Sequence, residues 1–280
     1  MDMNETQIKK MKKMTIILIT IAAIVLAAIL GIFIGRRTVQ QSKISRENAA
    51  QTSETKHAVL QNDSSKGSLS GKVYNLIILD ESGSMSSVWK PALDGANETI
   101  QTIKSTQDAH PEQRQFLTFV SFSDKGGERF RVLIDNKPIS EVVQLTQEDY
   151  YPSGNTPLWD AMGHSLTELE KVVTDEDLVL VTIITDGYEN ASREYTGASI
   201  NALVKRLIEK DWAFAYIGAN QDAIEVAGRM GIKNALNFAA DDEGTRAMWR
   251  KEKRSRERYY SRGRLGISKE SLKEEYFTED

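Results

Sequence analysis

Two stretches of the chain, Val73 to Leu79 (VYNLIIL) and Leu178 to Ile184 (LVLVTII), are almost unbroken apolar runs of strand length. A strand with one wet face alternates apolar and polar residues, whereas a continuous apolar run has to be covered on both faces. That is the condition of a central strand in a parallel sheet, and a parallel sheet needs helices between its strands. The sequence supplies them. Trp89, Leu93, Ala96, Ile100 and Ile103 fall at helical spacing, with Pro91 in the first turn. Leu158, Ala161, Met162, Ser165, Leu166 and Leu169 form a second stripe, and Ile200, Leu203, Val204, Leu207 and Ile208 a third. FLTFVSF (116–122) and FRVLI (130–134) flank Asp124-Lys125-Gly126-Gly127, a hairpin signal, and are expected to give one antiparallel edge pair. WAFAYI (212–217), a short helix from Asn220 and a weak strand from Ile232 to Leu236 complete the order. The pattern predicts one α/β domain over residues 72–240, a doubly wound, mostly parallel sheet flanked by helices.

The region before this domain has a different character. Met14 to Ile34 is twenty-one residues without a charge. At about 1.5 Å per residue such a helix matches a hydrocarbon core of about 30 Å. A cleaved leader has an apolar region of only about 7–15 residues, and no small-residue cleavage site precedes Arg36-Arg37. Residues 14–35 are therefore expected to form a transmembrane helix in the lipid bilayer, behind a basic tail at 1–13. Lysines 9, 10, 12 and 13 balance Arg36, Arg37, Lys43 and Arg46 across the span, so the positive-inside count is a tie. The expected arrangement is a single-pass signal anchor with the globular domain on the outer face. Residues 36–71, rich in Ser, Gln, Asn, Thr and Lys, bury too little to order themselves and read as a polar tether.

Several chemistries are excluded. The chain has no cysteine, so disulfides, thiolate metal sites and a cysteine nucleophile are ruled out. A net charge of −4 gives no global basic surface, and no nucleic-acid partner is expected. No P-loop, G-x-G-x-x-G or G-x-S-x-G occurs. None of the three histidines, His57, His110 and His164, is paired with a serine by a local catalytic pattern, and His164 reads as a residue on the surface of the second helix.

In parallel sheets, ligands sit beyond the carboxyl ends of the strands. There the sequence places Asp80-Glu81-Ser82-Gly83-Ser84-Met85 after the first strand and Thr185-Asp186-Gly187 after the LVLVTII strand. Ser153-Gly154-Asn155-Thr156-Pro157 precedes the second helix. Together they offer hard oxygen ligands of the kind Mg2+ prefers. In an extended turn, positions 80, 82 and 84 would point to one side, and Gly83 and Gly187 would let the backbone bend beside an ion. Each loop also has a plainer reading, as caps and turns; Thr156-Pro157 in particular resembles an N-cap followed by proline. Glu81, Glu189 and Asn190 lie close by and read as solvated or supporting residues.

Asp80, Ser82 and Ser84 in D-x-S-x-S, Thr156 in GNTP and Asp186 in TDG resemble, in order and approximate spacing, the metal-ion-dependent adhesion site of the von Willebrand factor A domain. The phrases ESGSM, SGNTPLWDA, ITDGYENAS and YIGANQDA are most similar to bacterial members. The resemblance implies a Rossmann-like α/β fold without catalytic activity. It implies that Asp80, Ser82, Ser84, Thr156 and Asp186 hold Mg2+, with Mn2+ or Ca2+ as substitutes, and that a protein partner presenting an acidic residue completes the shell. The alternative is a metal-dependent phosphohydrolase-like enzyme, which generally needs a second aspartate two residues after the first; here that position is Ser82.

Residues 241–280 are charged. From Arg246 to Arg264 the segment is strongly basic, interleaved with Trp249, Tyr259 and Tyr260. It is expected as a terminal helix that packs through Ala247, Met248 and Trp249 with its charges solvated, followed by a frayed acidic end from Ser268.

Overall fold

A computed structural model describes residues 71–219 and 223–277. The expected tail, membrane span and tether, and the start of the helix expected from Asn220, lie outside them. Among the described residues, no helix is long and apolar enough to cross a membrane.

The expected alternation is present. Strand β1 (Lys72–Asp80) is followed by α1 (Trp89–Ala109), β2 (Arg114–Phe122), β3 (Arg131–Pro138) and α2 (Leu158–Glu170). Next come β4 (Leu178–Thr185), α3 (Gly197–Glu209), β5 (Ala213–Ala219), α4 (Ala223–Met230), β6 (Asn234–Phe238), α5 (Asp242–Arg264) and α6 (Lys269–Glu274). The six strands run in the order β3-β2-β1-β4-β5-β6. All neighbours are parallel except β2 and β3, the antiparallel edge pair foreseen from Asp124 to Gly127. Order reverses at β1, so the ends of β1 and β4 flank the crevice where such sheets bind ligands.

Continuous burial of β1 and β4 follows from covering both faces. On one face Val73, Ile77 and Leu79 meet Ala96 and Ile100 of α1 and Trp249 and Tyr260 of α5. On the other, Tyr74, Leu76 and Ile78 meet Leu158 and Met162 of α2 and Val204 of α3.

Helix α5 departs from expectation. Met248 and Trp249 do pack inward, but Ala247 is exposed and the deepest residues are charged: Glu252 and Arg256 are both fully buried. The Arg256 guanidinium donates to Glu252 Oε1 at 2.8 Å, to Asn75 Oδ1 at 2.9 Å, to Thr182 Oγ1 at 2.8 Å and to Tyr260 Oη at 3.1 Å. Tyr276 Oη donates to Glu252 Oε1 at 3.0 Å. The described part of the segment after Ser268, up to Phe277, is not frayed. Ser268 caps α6 through the Ser271 N–H, and Leu272 and Tyr276 are buried. The reason is area: one face of the sheet needs a second covering helix beside α1, and α5 provides it.

Gly95 marks where α1 and α5 meet, because a Cβ there would lie 2.2 Å from the Trp249 ring. Gly95→Ala is therefore expected to cost about 1–3 kcal/mol through overpacking, although alanine is the better helix former. Urea unfolding measures it, and an unchanged midpoint would show that Trp249 swings aside freely.

Candidate metal centre

Three loops converge beyond the ends of β1 and β4. Asp80, the last residue of β1, is fully buried. Its Oδ1 accepts the Ser82 N–H at 2.7 Å, and its Oδ2 accepts the Thr185 hydroxyl at 2.5 Å. The Ser82 and Ser84 hydroxyls are 3.1 Å apart, and Ser84 donates to Asp186 Oδ1 at 2.6 Å. Asp186 and Thr156 are both buried. A Cβ built on Gly187 would lie 3.4 Å from Thr156 Oγ1 and 3.6 Å from Ser84 Oγ. Hydroxyls from two separate loops thus border one small space beside the Asp186 backbone. All five predicted residues are brought to this end of the sheet.

The local route differs from the one expected. Ser82 is extended (φ −69°, ψ 167°), but Gly83–Ser87 coil into a 3-10 helix. Strand alternation therefore does not orient Ser84; the tight turn does. Nor do Gly83 and Gly187 provide a left-handed bend. The positive φ belongs to Gly154 (φ 80°), whose carbonyl accepts the Gly83 N–H at 2.9 Å. Ser153 donates to the Glu81 carbonyl at 2.8 Å. These two bonds hold the D-x-S-x-S loop against the loop that carries Thr156.

Thr156 is not the N-cap of α2. The first amides of that helix go elsewhere: Trp159 N–H to Glu189 Oε2 at 2.9 Å and Asp160 N–H to Ser192 Oγ at 3.0 Å. Asn190 accepts the Thr156 N–H at 2.8 Å and donates its own N–H to the Thr156 carbonyl at 3.1 Å. Glu189 and Asn190 are therefore supports. Glu81, expected to be solvated or supporting, is 1% exposed and gripped by Arg131 at 2.7 and 2.8 Å. The pairing fixes the first turn after Asp80.

Other supports carry no local sequence signal. Tyr150 Oη donates to the Asp80 carbonyl at 2.7 Å across seventy positions, and burial holds its phenol well above the ordinary range. Asp160 accepts the N–H groups of Arg193, Glu194 and Tyr195 and pairs with Arg129 at 2.7 Å. Burial works to raise its pKa, but those amides and the guanidinium prevail and lower it.

Burial sets the electrostatics of the cluster. Burial pushes the Asp80 carboxyl up to about 7, against the lowering effect of its bonds from Thr185 and Ser82; nearby Asp186 raises it further. Asp186 is itself raised by burial. Among the described residues, no three His, Cys, Asp or Glu side chains gather as a metal-binding group. The donors are two carboxylates and three hydroxyls, all hard oxygens. Such a set suits a small divalent cation.

The model of the von Willebrand factor type A domain matches residues 76–248, and the chain belongs to that family. No curated protein matches the chain in sequence. The fold is similar to that of the pilus adhesin SpaC from Lactobacillus rhamnosus GG in its open conformation, with a TM-score of 0.51 and 10% identity over 65% of this chain and 30% of that one. It also resembles the PilB minor pilin from Streptococcus sanguinis (TM-score 0.48, 12% identity, 72% of this chain and 63% of that chain). A third likeness is to the manganese-loaded TRAP protein of Plasmodium vivax (TM-score 0.42, 16% identity, 64% of this chain and 72% of that chain). The chain thus spans less than two thirds of the pilin and under a third of the adhesin.

Proposed function

We propose that this A domain is a non-catalytic binding module of bacterial type, anchored in the membrane by residues 14–35 with the domain on the outer face. In this reading Asp80, Ser82, Ser84, Thr156 and Asp186 hold Mg2+ and together capture an acidic residue of a protein partner. The observation that carries the reading is the convergence of Ser84 and Thr156 on the space beside Asp186 and Gly187, with the capping role of Thr156 taken over by Glu189 and Ser192. Two carboxylates would neutralise a divalent ion only formally and through hydroxyl-rich contacts, so the bound ion would supply attraction for one further carboxylate. The chain's residues fix where that carboxylate arrives: Thr185 and the Ser82 amide orient Asp80, and Ser84 orients Asp186. A hydrolytic role finds no support in the cluster. Ser82 occupies the place of a second acid, and His164 is engaged by Glu194 at 2.7 Å.

Calorimetric titration of the full chain in detergent with Mg2+ and Mn2+ tests the metal. One site is expected, with affinity lowered at least about tenfold in Thr156→Ala and unchanged in Asp94→Ala, which alters an exposed ion pair on α1. Equal affinity in Thr156→Ala would remove that hydroxyl from the site. No heat with the folded wild-type chain, with or without added acetate, would end the metal reading.

A further inference from the structure

On the far side of β2 and β3 from α1, a cavity of about 340 Å³ opens between the sheet edge and α2. It contains none of the five metal-site residues. Phe130, Val120 and Leu169 give it apolar walls. Val132 and Val172, 49% and 46% exposed, stand at the cavity and are among the few large apolar side chains left open to water. Two polar atoms on residues lining it, Ser165 Oγ and Asn136 Oδ1, are buried and have no hydrogen-bond partner among the described residues. Buried polar atoms are almost always satisfied, because leaving one unpaired forfeits its hydration. On a helix, serine commonly bonds the carbonyl four residues back, as Thr167 does to Gly163 at 2.7 Å; the Ser165 hydroxyl does not. Asn136 holds the left-handed conformation (φ 41°), and its N–H is taken by Thr118 Oγ1.

The charged residues at this cavity are Asp135 and Glu168, with His164 beside them and no lysine or arginine lining it. Glu168 also meets Lys171, but in an exposed pair that water already screens. Apolar walls, unpaired oxygens and acidic neighbours together select a cation on an aliphatic stem. We propose that this cavity is a docking site for a lysine side chain of a partner protein. Phe130 and Leu169 contact its methylenes, and its ammonium meets the exposed Asp135 and Glu168; Asn136 Oδ1 and Ser165 Oγ, closed to water in the free protein, turn toward it on binding. It is a second contact, separate from the metal cluster, which can be read in the presence of a chelator.

The test is methyl NMR of the full chain in detergent micelles with EDTA, following Val120, Val132, Leu169 and Val172. The probes are a blocked Gly-Lys-Gly peptide, the same peptide with norleucine, and pentylamine. Saturable shifts with the lysine peptide are expected, about tenfold weaker with norleucine, because a hydrogen bond from a charged group is worth that much. The double variant Asp135→Asn/Glu168→Gln, which alters side chains reaching into solvent, should weaken the lysine peptide by a similar factor. Ser165→Ala should weaken it too while leaving the free protein at least as stable, since an unpaired hydroxyl is removed. Equal binding of the norleucine peptide, or no shift with the lysine peptide, would overturn the proposal. Shifts with pentylamine alone would overturn it as well, by showing a small-amine site that a protein side chain cannot enter.

Discussion

Arg256→Met is expected to lower the free energy of unfolding by about 3–5 kcal/mol, because it leaves Glu252 charged, buried and without its partner. Nothing nearby can take over. Arg256 is the cation in contact with Glu252, and Asn75 Oδ1 and Thr182 Oγ1 lose a donor at the same moment. Burial works to strip the guanidinium of its proton, yet Glu252 and the two tyrosines hold its pKa well above the usual arginine value, so it is charged at any working pH. For a domain of this size, such a loss is a fall of roughly 10 °C or more in the unfolding temperature. The double variant Glu252→Gln/Arg256→Met separates charge from packing. Removing both charges should recover much of the loss, since a buried ion pair often does no better than a neutral replacement. Glu252 Oε2 has no hydrogen-bond partner among the described residues, which argues that the pair is incompletely compensated even in the intact protein. Its value then lies in fixing where α5 sits on the sheet. Urea unfolding of the three proteins decides: a loss below about 1 kcal/mol for Arg256→Met would mean that water reaches Glu252 when the arginine leaves.

That network also marks the limit of what the sequence discloses. Strands β1 and β4 were legible because burial on both faces forces unbroken apolar runs, and α1, α2 and α3 because one-sided burial forces a period near 3.6. The same logic misreads α5. Its many Lys and Arg residues give the pattern of a solvated rod, and no local feature distinguishes Arg256 from Arg254 or Arg258. The distinction arises only when Asn75, Thr182 and Tyr260, contributed by two strands and the helix itself, come together around it. One polar residue inside VYNLIIL was the available clue. At the candidate metal centre, the sequence placed oxygen-bearing loops beyond the strand ends, but the set of five positions came from the family resemblance, and Thr156 fits two roles locally. Only the distant Glu189 and Ser192, by occupying the amides of α2, remove the capping role. Thr185 and Tyr150, which hold Asp80 by its carboxylate and its carbonyl, become visible only with the fold.

Asp80→Ala is expected to abolish Mg2+ binding and, without divalent ions, to make the protein more stable at pH 8. The sign follows from linkage. Asp80 titrates at 3.8 unfolded and is pushed up to about 7 by burial in the fold. Between those values the folded chain holds a proton that the unfolded chain releases, so stability falls as pH rises through that window. The full difference, reached above about pH 7, is on the order of 4 kcal/mol as an upper bound. A cation bound by the ionised carboxylate offsets this penalty, and at a hundredfold excess over Kd it stabilises by about 2.7 kcal/mol. Mg2+ should therefore raise the unfolding temperature of the wild type strongly at pH 8 and weakly at pH 5.5, where a proton occupies Asp80. In Asp80→Ala the Mg2+ effect should vanish at both pH values, and the metal-free decline between pH 5.5 and 8 should flatten. Scanning calorimetry at the two pH values, with and without Mg2+, separates the two halves of the argument. A flattened pH profile with Mg2+ stabilisation retained would leave Asp80 a buried acid and move the ion elsewhere. An unchanged pH profile with Mg2+ stabilisation lost would keep Asp80 at the ion and show that water enters the site to hydrate it.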